Sequence, residues 1–577
     1  MSHSFVTEIS PPLVLQDLVA QHWDHECDVL VVGWGAAGAS AAIEAHDGGA
    51  SVIVVDRFRG GGASAKSGGV VYAGGGTEHQ QRAGYQDSPA AMLDYLKHET
   101  RGVVQDSTLE RFCRDSVGNL HWLESMGTPY NHEMPPGGKT SYPQDGYYLY
   151  YSGNELVPAY RGDAAPAPRG HRTVGKGHGG VVLYSHLQEA CRARGISSLA
   201  QSAVRRLVVD GEGGRVIGAE IWSLPAGSKE ARLHAKWAQR AEKLQNLAPA
   251  YCNRLRLKLS ALEKQYAKPV LVRAHQGVIL STGGFIFNRD LMREHAPRYR
   301  RNFKIGATGC DGSGLRLGLS VGAAADHLGN VSAWRFINPP QKWPKGIAVN
   351  RRGQRFCNEE VYGATLGHAI CEDQDGAAWL ILDKALHRQS IRQALLGGYW
   401  WFQSLPALVL MLLGSKKGKT PAELAQRMGM EPAALEASIA AYNQAISSGQ
   451  PDPQGKSAES CQPLRQGPFY ALDISVGSPV LPLGALTLGG LKVREESGQV
   501  LAGDGQPIPG LFAAGRAAVG IPSNLYVSGL SLADCVFSGR RAGVAAACSE
   551  AIATDERAVT PQPLTTAQGA ENDVFNG

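Results

Sequence analysis

The chain has 577 residues, 43% apolar and 19% charged, with 71 Gly and 31 Pro, a length that calls for more than one core and a balance that excludes disordered and fibrous classes. A net charge of +5, from 57 basic and 52 acidic residues, is too small an excess to call for nucleic acid. The ten cysteines form no C-x-x-C pair, which excludes a C-x-x-C-H haem site and predicts reduced thiols in a cytoplasmic protein.

Residues 1–26 read as an N-terminal extension without the basic start and apolar core of a secretory signal. Val29 to Val32 then form a short apolar run suited to a buried parallel strand. Gly33, Gly35 and Gly38 follow in G-x-G-x-x-G spacing, small residues continue along a predicted helix, and Ser51 to Val55 make a second strand ending in Asp56. Gly33 allows the turn, Gly35 lets the backbone approach a pyrophosphate, Gly38 lets helix and strand pack closely, and Asp56 takes a ribose hydroxyl. A ligand-free glycine turn would not need strand, glycines, helix, strand and acid in that order. The Gly/Ser loop "RGGGASAKSGGVVYAGGG", Arg59 to Gly76, follows directly and is of the kind that wraps FAD.

Two later strands end in Thr282-Gly283-Gly284 and Ala513-Ala514-Gly515. With "GATGCDGSGLRLGLSVGA", "GIAVNRRGQRFCNEE" and "LTLGGLKV", the chain resembles the fumarate reductase/succinate dehydrogenase flavoprotein superfamily from about Cys27 to Cys548. The resemblance implies an α/β, Rossmann-like FAD-binding domain built from residues 27–299 and 466–553, an α+β capping domain at 300–465, and a mobile tail from 554. It also implies FAD contacts from Ala36, Ala37, Arg57, Gly62, Ala63, Ser64, Ser67, Gly68 and Gly69. Further contacts come from Val204, Thr282, Gly283, Gly515, Arg516, Ser531 and Leu532. Relatives that bind FAD covalently use a histidine in the loop equivalent to "SAKSGG"; none lies there, so FAD is expected to be non-covalent, and no metal is expected.

A dicarboxylate site needs cations. The superfamily's arginine-bearing segment after "RF-x-N-E" reads here "NEEVYGATLGH", with Tyr362, and the segment before the last helix reads "NLYVSGLSLAD", without arginine. Hydroxyl donors under an apolar cap suit a large, weakly polar ketone. "SAKSGGVVYAGGGT", "NEEVYGA", "AAGRAA" and "YVSGLSLADCVFSGRRAG" resemble the 3-ketosteroid dehydrogenases, Δ4-(5α) type. Their Δ1 counterparts carry a glycine four residues after the tyrosine, where this chain has Leu530.

Desaturation beside a 3-keto group removes a proton alpha to the ketone and a hydride from the beta carbon. A base must take the proton and donors must hold the enolate oxygen. Tyr526 and Ser528, two apart and on one face of an extended segment, are the candidate relay, with tyrosinate character favoured by a helix N-terminus near Ser531. Tyr362 completes the candidate catalytic set. The bland readings are that Tyr526 and Tyr362 pack and that Ser528 caps the helix. A Δ1-dehydrogenase, a reductase of another activated C=C bond and a non-catalytic lipid carrier stay open, as do the electron acceptor and the oligomeric state.

Two segments look added. Residues 226–268 hold ten Lys/Arg against three Glu, with Leu233, Trp237 and Leu244 at helical spacing, and residues 395–413 are apolar but broken by Gln403, Ser404 and Pro406. They read either as a solvated charged hairpin and a cap helix, or as one peripheral surface docking on the inner membrane.

Overall fold

The computed structural model describes residues 4–18, 20–211 and 214–551. The tail expected to be mobile lies outside the described residues.

A nine-stranded sheet carries the dinucleotide half. Strand His25–Val32 lies at its centre, parallel to Val52–Asp56 on one side and to Lys268–Leu280 on the other. Both of its faces are covered, and for that reason Val29, Leu30 and Val31 are apolar in succession and fully buried. Ser197–Ala200 extends the parallel set beyond Val52–Asp56, and Pro507–Ala513 joins Lys268–Leu280. One sheet is thus built from both ends of the chain. The N-terminal extension belongs to it: Leu13–Leu15 pairs with Ser202–Asp210, and Phe5 is buried in the core.

Helix Ala36–Asp47 follows the central strand, and the last helix, Leu530–Ala547, packs on it. Glycines set that approach: a Cβ on Gly539 would lie 2.5 Å from the Ala37 carbonyl oxygen, and one on Gly543 would meet that of Ala41. The contacts advance together, so the helices run parallel, and the last helix starts about 12 Å beyond the first along their shared axis.

The inserted region forms a four-stranded antiparallel sheet, Ile347–Val349, Trp379–Leu382, Phe469–Asp473 and Lys416–Gly418. A second sheet joins Phe303–Lys304, Gly484–Thr487 and Val331–Trp334. Pairing therefore continues past 465, the expected end of this region, because Phe469–Asp473 joins the sheet of the inserted region. A small sheet of Val70–Tyr72, Gly170–Arg172 and Leu149–Tyr150 sits beside the start of the last helix.

The basic insertion is a helical hairpin, Lys229–Lys243 and Pro249–Tyr266, clamped to the domain rather than free. Glu263 pairs with Arg57 and His234, and Glu242 with Lys66 and Thr308. Trp237 and Leu244 pack inward against Ala241, Cys252 and Leu255, which leaves a charged outer face. The 395–413 segment behaves differently. It folds as the end of helix Lys384–Leu396, then Trp401–Val409 and a π-turn Leu410–Gly414, with Leu413 83%, Leu396 74% and Trp401 69% exposed. Among the described residues no helix is long and apolar enough to cross a membrane.

Candidate active site

The glycine loop is held open for a ligand. Gly33 adopts φ +103°, where a side chain would be strained, and its Cβ would lie 2.8 Å from the Ser281 carbonyl. Gly38 faces the Gly33 carbonyl with no room for a Cβ, whereas a Cβ on Gly35 would meet the Ser64 hydroxyl at 3.4 Å and the Gly61 carbonyl at 3.9 Å. Ser64, in the short helix Gly62–Lys66 with Ala63, accepts the Ala36 N–H at 3.0 Å. Among the described residues the Gly38 N–H finds no acceptor and the Ala37 N–H faces only the Cys535 thiol, so this helix start is open to an anion.

Asp56 ends its strand as expected. Its carboxylate accepts the N–H of Trp34 at 2.9 Å and those of Phe58 and Gly60 at 2.8 and 3.3 Å, so it ties the two loops together and leaves limited capacity for a ribose hydroxyl. The Ser67 hydroxyl donates to the Ser64 carbonyl at 2.7 Å and accepts the Gly69 N–H at 3.1 Å, while the Gly68 carbonyl accepts from the Tyr142 hydroxyl. Thr282 accepts the Gly314 N–H at 2.9 Å, and Gly515 donates to Ser538 at 2.9 Å. The Arg516 guanidinium lies beside Gly283 and Gly284, and its Nη1 is buried with no partner among the described residues. An orphaned buried donor, open helix starts and an uncrowded Gly35 fit a bound dinucleotide. Two of the expected contacts would have to be made by backbone: the Arg57 side chain is spent on Glu263 and Asp311 at 2.9 and 3.0 Å, and the Val204 side chain is buried in a strand opposite Ile221.

Beside the cradle sits a cluster of hydroxyls. Gly529, in the left-handed region at φ +92°, is the N-cap residue of the last helix, so the helix begins at Leu530 and Ser528 does not cap it. The N–H groups of Ser531 and Leu532 find no acceptor among the described residues. Freed from capping, the Ser528 hydroxyl lies 3.0 Å from that of Tyr150. It also favours the ionised form of Tyr362, although burial pushes that phenol well above its ordinary range. Tyr526 stands against Trp334, ring centres 5.1 Å apart, and Tyr362 against Phe336 at 5.6 Å. The inserted region thus supplies the aromatic walls and the Tyr362 hydroxyl, the small sheet that of Tyr150, and the entry to the last helix those of Tyr526 and Ser528.

The expectation of tyrosinate character needs correction. Burial pushes the Tyr526 phenol up to about 12; Arg516 and the Gly529 N–H pull it down, but by less. The helix start acts in the expected direction, and desolvation outweighs it.

Sequence reading missed the segment that holds the cluster together. The Ser152 carbonyl accepts the Ser528 N–H at 3.2 Å and its hydroxyl donates to the Ser528 carbonyl at 3.0 Å. Asn154 accepts the Tyr362 N–H at 2.6 Å and donates to Glu99 at 2.8 Å. The run of tyrosines at 147–151 was the available signal. Arg355, of "GQRFCNEE", is paired with Glu359 and Asp452.

The cradle and the folding of one sheet from both chain ends define a flavin dinucleotide-binding fold. A family model described as FAD binding domain matches residues 28–529, and the chain belongs to that family. It is 46% identical over 501 residues, 85% of its own length and 93% of the relative's, to a 3-oxo-5-alpha-steroid 4-dehydrogenase of Comamonas testosteroni. It is 26% identical to a 3-oxosteroid 1-dehydrogenase of Mycolicibacterium smegmatis, over 87% of this chain and 93% of that one. Among solved structures it is similar to the 3-ketosteroid-delta4-(5alpha)-dehydrogenase of Rhodococcus jostii RHA1 in complex with 4-androstene-3,17-dione: TM-score 0.79, 31% identity, 93% of this chain and 100% of that one.

Proposed function

We propose that this chain is an FAD-dependent 3-ketosteroid dehydrogenase that introduces the C4–C5 double bond of a saturated 3-ketosteroid. The observation that carries the reading is the Tyr526, Ser528, Tyr150 and Tyr362 cluster, walled by Trp334 and Phe336, with Arg355 spent on Glu359 and Asp452. Such a site offers hydroxyls and apolar area to a ketone and no pair of cations to a dicarboxylate. The 46% identity to a 4-dehydrogenase, against 26% to a 1-dehydrogenase, favours C4–C5 over C1–C2. FAD, when bound, supplies the acceptor for the hydride that leaves the beta carbon.

The chain's own groups handle the proton and the oxygen. Tyr526 takes the C4 proton, and its high intrinsic pKa makes it a strong base once ionised. The proton taken up by Tyr526 has a way onward through the Ser528 hydroxyl, two residues along, to that of Tyr150, 3.0 Å from it, each hydroxyl giving up one proton as it takes one. Tyr362, fixed through its N–H by Asn154, presents a further hydroxyl donor. The aromatic walls exclude water, so these few dipoles act at low dielectric. The test is product identity: FAD-loaded protein with a 5α-saturated 3-ketosteroid and an artificial electron acceptor should give the 4-ene by NMR. A 1-ene would reassign the position of attack, and no oxidation of any 3-ketosteroid would overturn the reading.

Lipid contact, on this reading, centres on the 395–413 segment, where Leu395, Leu396, Trp401, Leu405, Leu412 and Leu413 are exposed together; the basic hairpin turns Trp237 and Leu244 inward and exposes Leu247 at its turn. Leu412→Ser with Leu413→Ser should lower co-sedimentation with anionic vesicles several-fold at unchanged FAD content. Equal co-sedimentation would contradict it.

A further inference from the structure

A second opening lies away from the hydroxyl cluster. A cleft of about 1330 Å³ is bounded by Asn253 of the hairpin, the 286–304 segment and residues of the four-stranded sheet. Seven Lys/Arg line it against two Asp. Arg293 pairs with Asp290 and Arg298 with Glu372 at its rim. Among the described residues Arg289, Arg300, Arg301, Lys304 and Arg351 make no ion pair.

The local environment deepens the imbalance. Burial, then Arg289 and Arg256, hold Lys304 down to about 8. Arg256, fully buried in the hairpin, is satisfied by the neutral oxygens of Gln245, Asn253 and Thr308 and by no carboxylate. Of the two lining acids, Asp473 already accepts the Ser475 N–H at 2.9 Å. Like charges massed in a concavity repel one another unless an anion enters. Guanidinium forks match phosphate oxygens in pairs. One phosphate, at about −2, would leave most of five free cations uncompensated. Ile286, Met292, Trp379 and Met428 give the same cleft an apolar wall.

We propose that this cleft binds an organic phosphate bearing two or more phosphate groups, with its phosphates on the unpaired arginines and a flat ring against Trp379 and the methionines. A concave volume of this size takes a small molecule, whereas a lipid surface meets a convex face. The site is separate from the hydroxyl cluster. Cys371, in its lining, and Tyr362 stand at opposite ends of helix Gly363–Asp373, about 14 Å apart along its axis.

The test is calorimetric titration of the FAD-loaded protein with ADP, inorganic pyrophosphate and phosphatidylglycerol vesicles, with flavin fluorescence monitored for release. ADP should bind once per chain without displacing flavin and more tightly than pyrophosphate. Arg300→Glu with Arg301→Glu, both exposed, should weaken ADP by about tenfold or more, while flavin reduction by a 3-ketosteroid stays at the wild-type rate. Lys304→Gln, a milder change, should weaken ADP in the same direction. The proposal is overturned if ADP does not bind, if it binds with displacement of flavin, or if both variants bind it as wild type does. Pyrophosphate binding as tightly as ADP would remove the ring from the site, and vesicle binding without ADP binding, weakened by the Arg300 and Arg301 changes but not by Leu412→Ser with Leu413→Ser, would make this a lipid-headgroup surface.

Discussion

The hydroxyl of Tyr150 lies 3.0 Å from that of Ser528, 378 positions later in the chain. The contact joins the small sheet, through Leu149–Tyr150, to the entry of the last helix, and it depends on Gly529 rather than Ser528 serving as N-cap. Had Ser528 capped the helix, its oxygen would face backbone N–H groups instead of the Tyr150 hydroxyl.

Tyr150→Phe deletes one oxygen and keeps the ring. If Ser528 passes a proton on to Tyr150, flavin reduction by a 3-ketosteroid should slow about tenfold to a hundredfold, less than on loss of the base itself, with FAD content unchanged. Stopped-flow absorbance at the flavin band reads it. A wild-type rate in Tyr150→Phe would end the chain at Ser528.

The cofactor should be non-covalent. Acid precipitation should leave FAD in the supernatant, because residues 59–76 contain no histidine. Flavin retained in the pellet would contradict that. Asp56→Ala should weaken FAD by more than one lost ribose bond, since the carboxylate also holds the N–H groups of Trp34, Phe58 and Gly60; Asp56→Asn should be milder. Equilibrium dialysis of FAD against both variants gives the order.

Glu99 sets a pH dependence of stability. Burial raises its pKa from 4.5 to about 7, against hydrogen bonds from Asn154 and Tyr95. The folded state therefore holds a proton that the unfolded chain releases near 4.5. The stabilisation is complete below pH 4.5 and is lost as pH rises to about 7, on the order of 3 kcal/mol. Glu99→Gln removes the titration. The unfolding free energy of wild type minus that of the variant should fall across pH 4.5–7; a flat difference would contradict the assignment.

The dinucleotide unit was legible because strand, glycine turn, helix and terminal acid are neighbours in sequence, each fixed by local sterics. The hydroxyl cluster was legible only in part. Tyr526 and Ser528 stand out against a helix start, but Tyr150 and Asn154 meet them across hundreds of residues, and no periodicity marks that. Arg57 shows the same limit. It follows the ribose acid directly, yet the hairpin's Glu263 and Asp311 draw its side chain away. The sign of the Tyr526 shift also rests on tertiary burial, which a helix-dipole argument omits.

The most direct measurement is anaerobic flavin reduction by a saturated 3-ketosteroid in wild type and Tyr526→Phe across pH. The hydride leaves only as the neighbouring C–H is deprotonated, so the base must appear in the rate of reduction itself. With the Tyr526 phenol near 12, its ionised fraction grows with every unit of pH below that value, and the wild-type rate should rise with it. Tyr526→Phe should keep its FAD, slow by about 10² to 10⁴, and lose the rise. A Tyr526→Phe protein that reduces its flavin at the wild-type rate, with the pH dependence intact, would contradict the account and leave Tyr526 as a ring packed on Trp334.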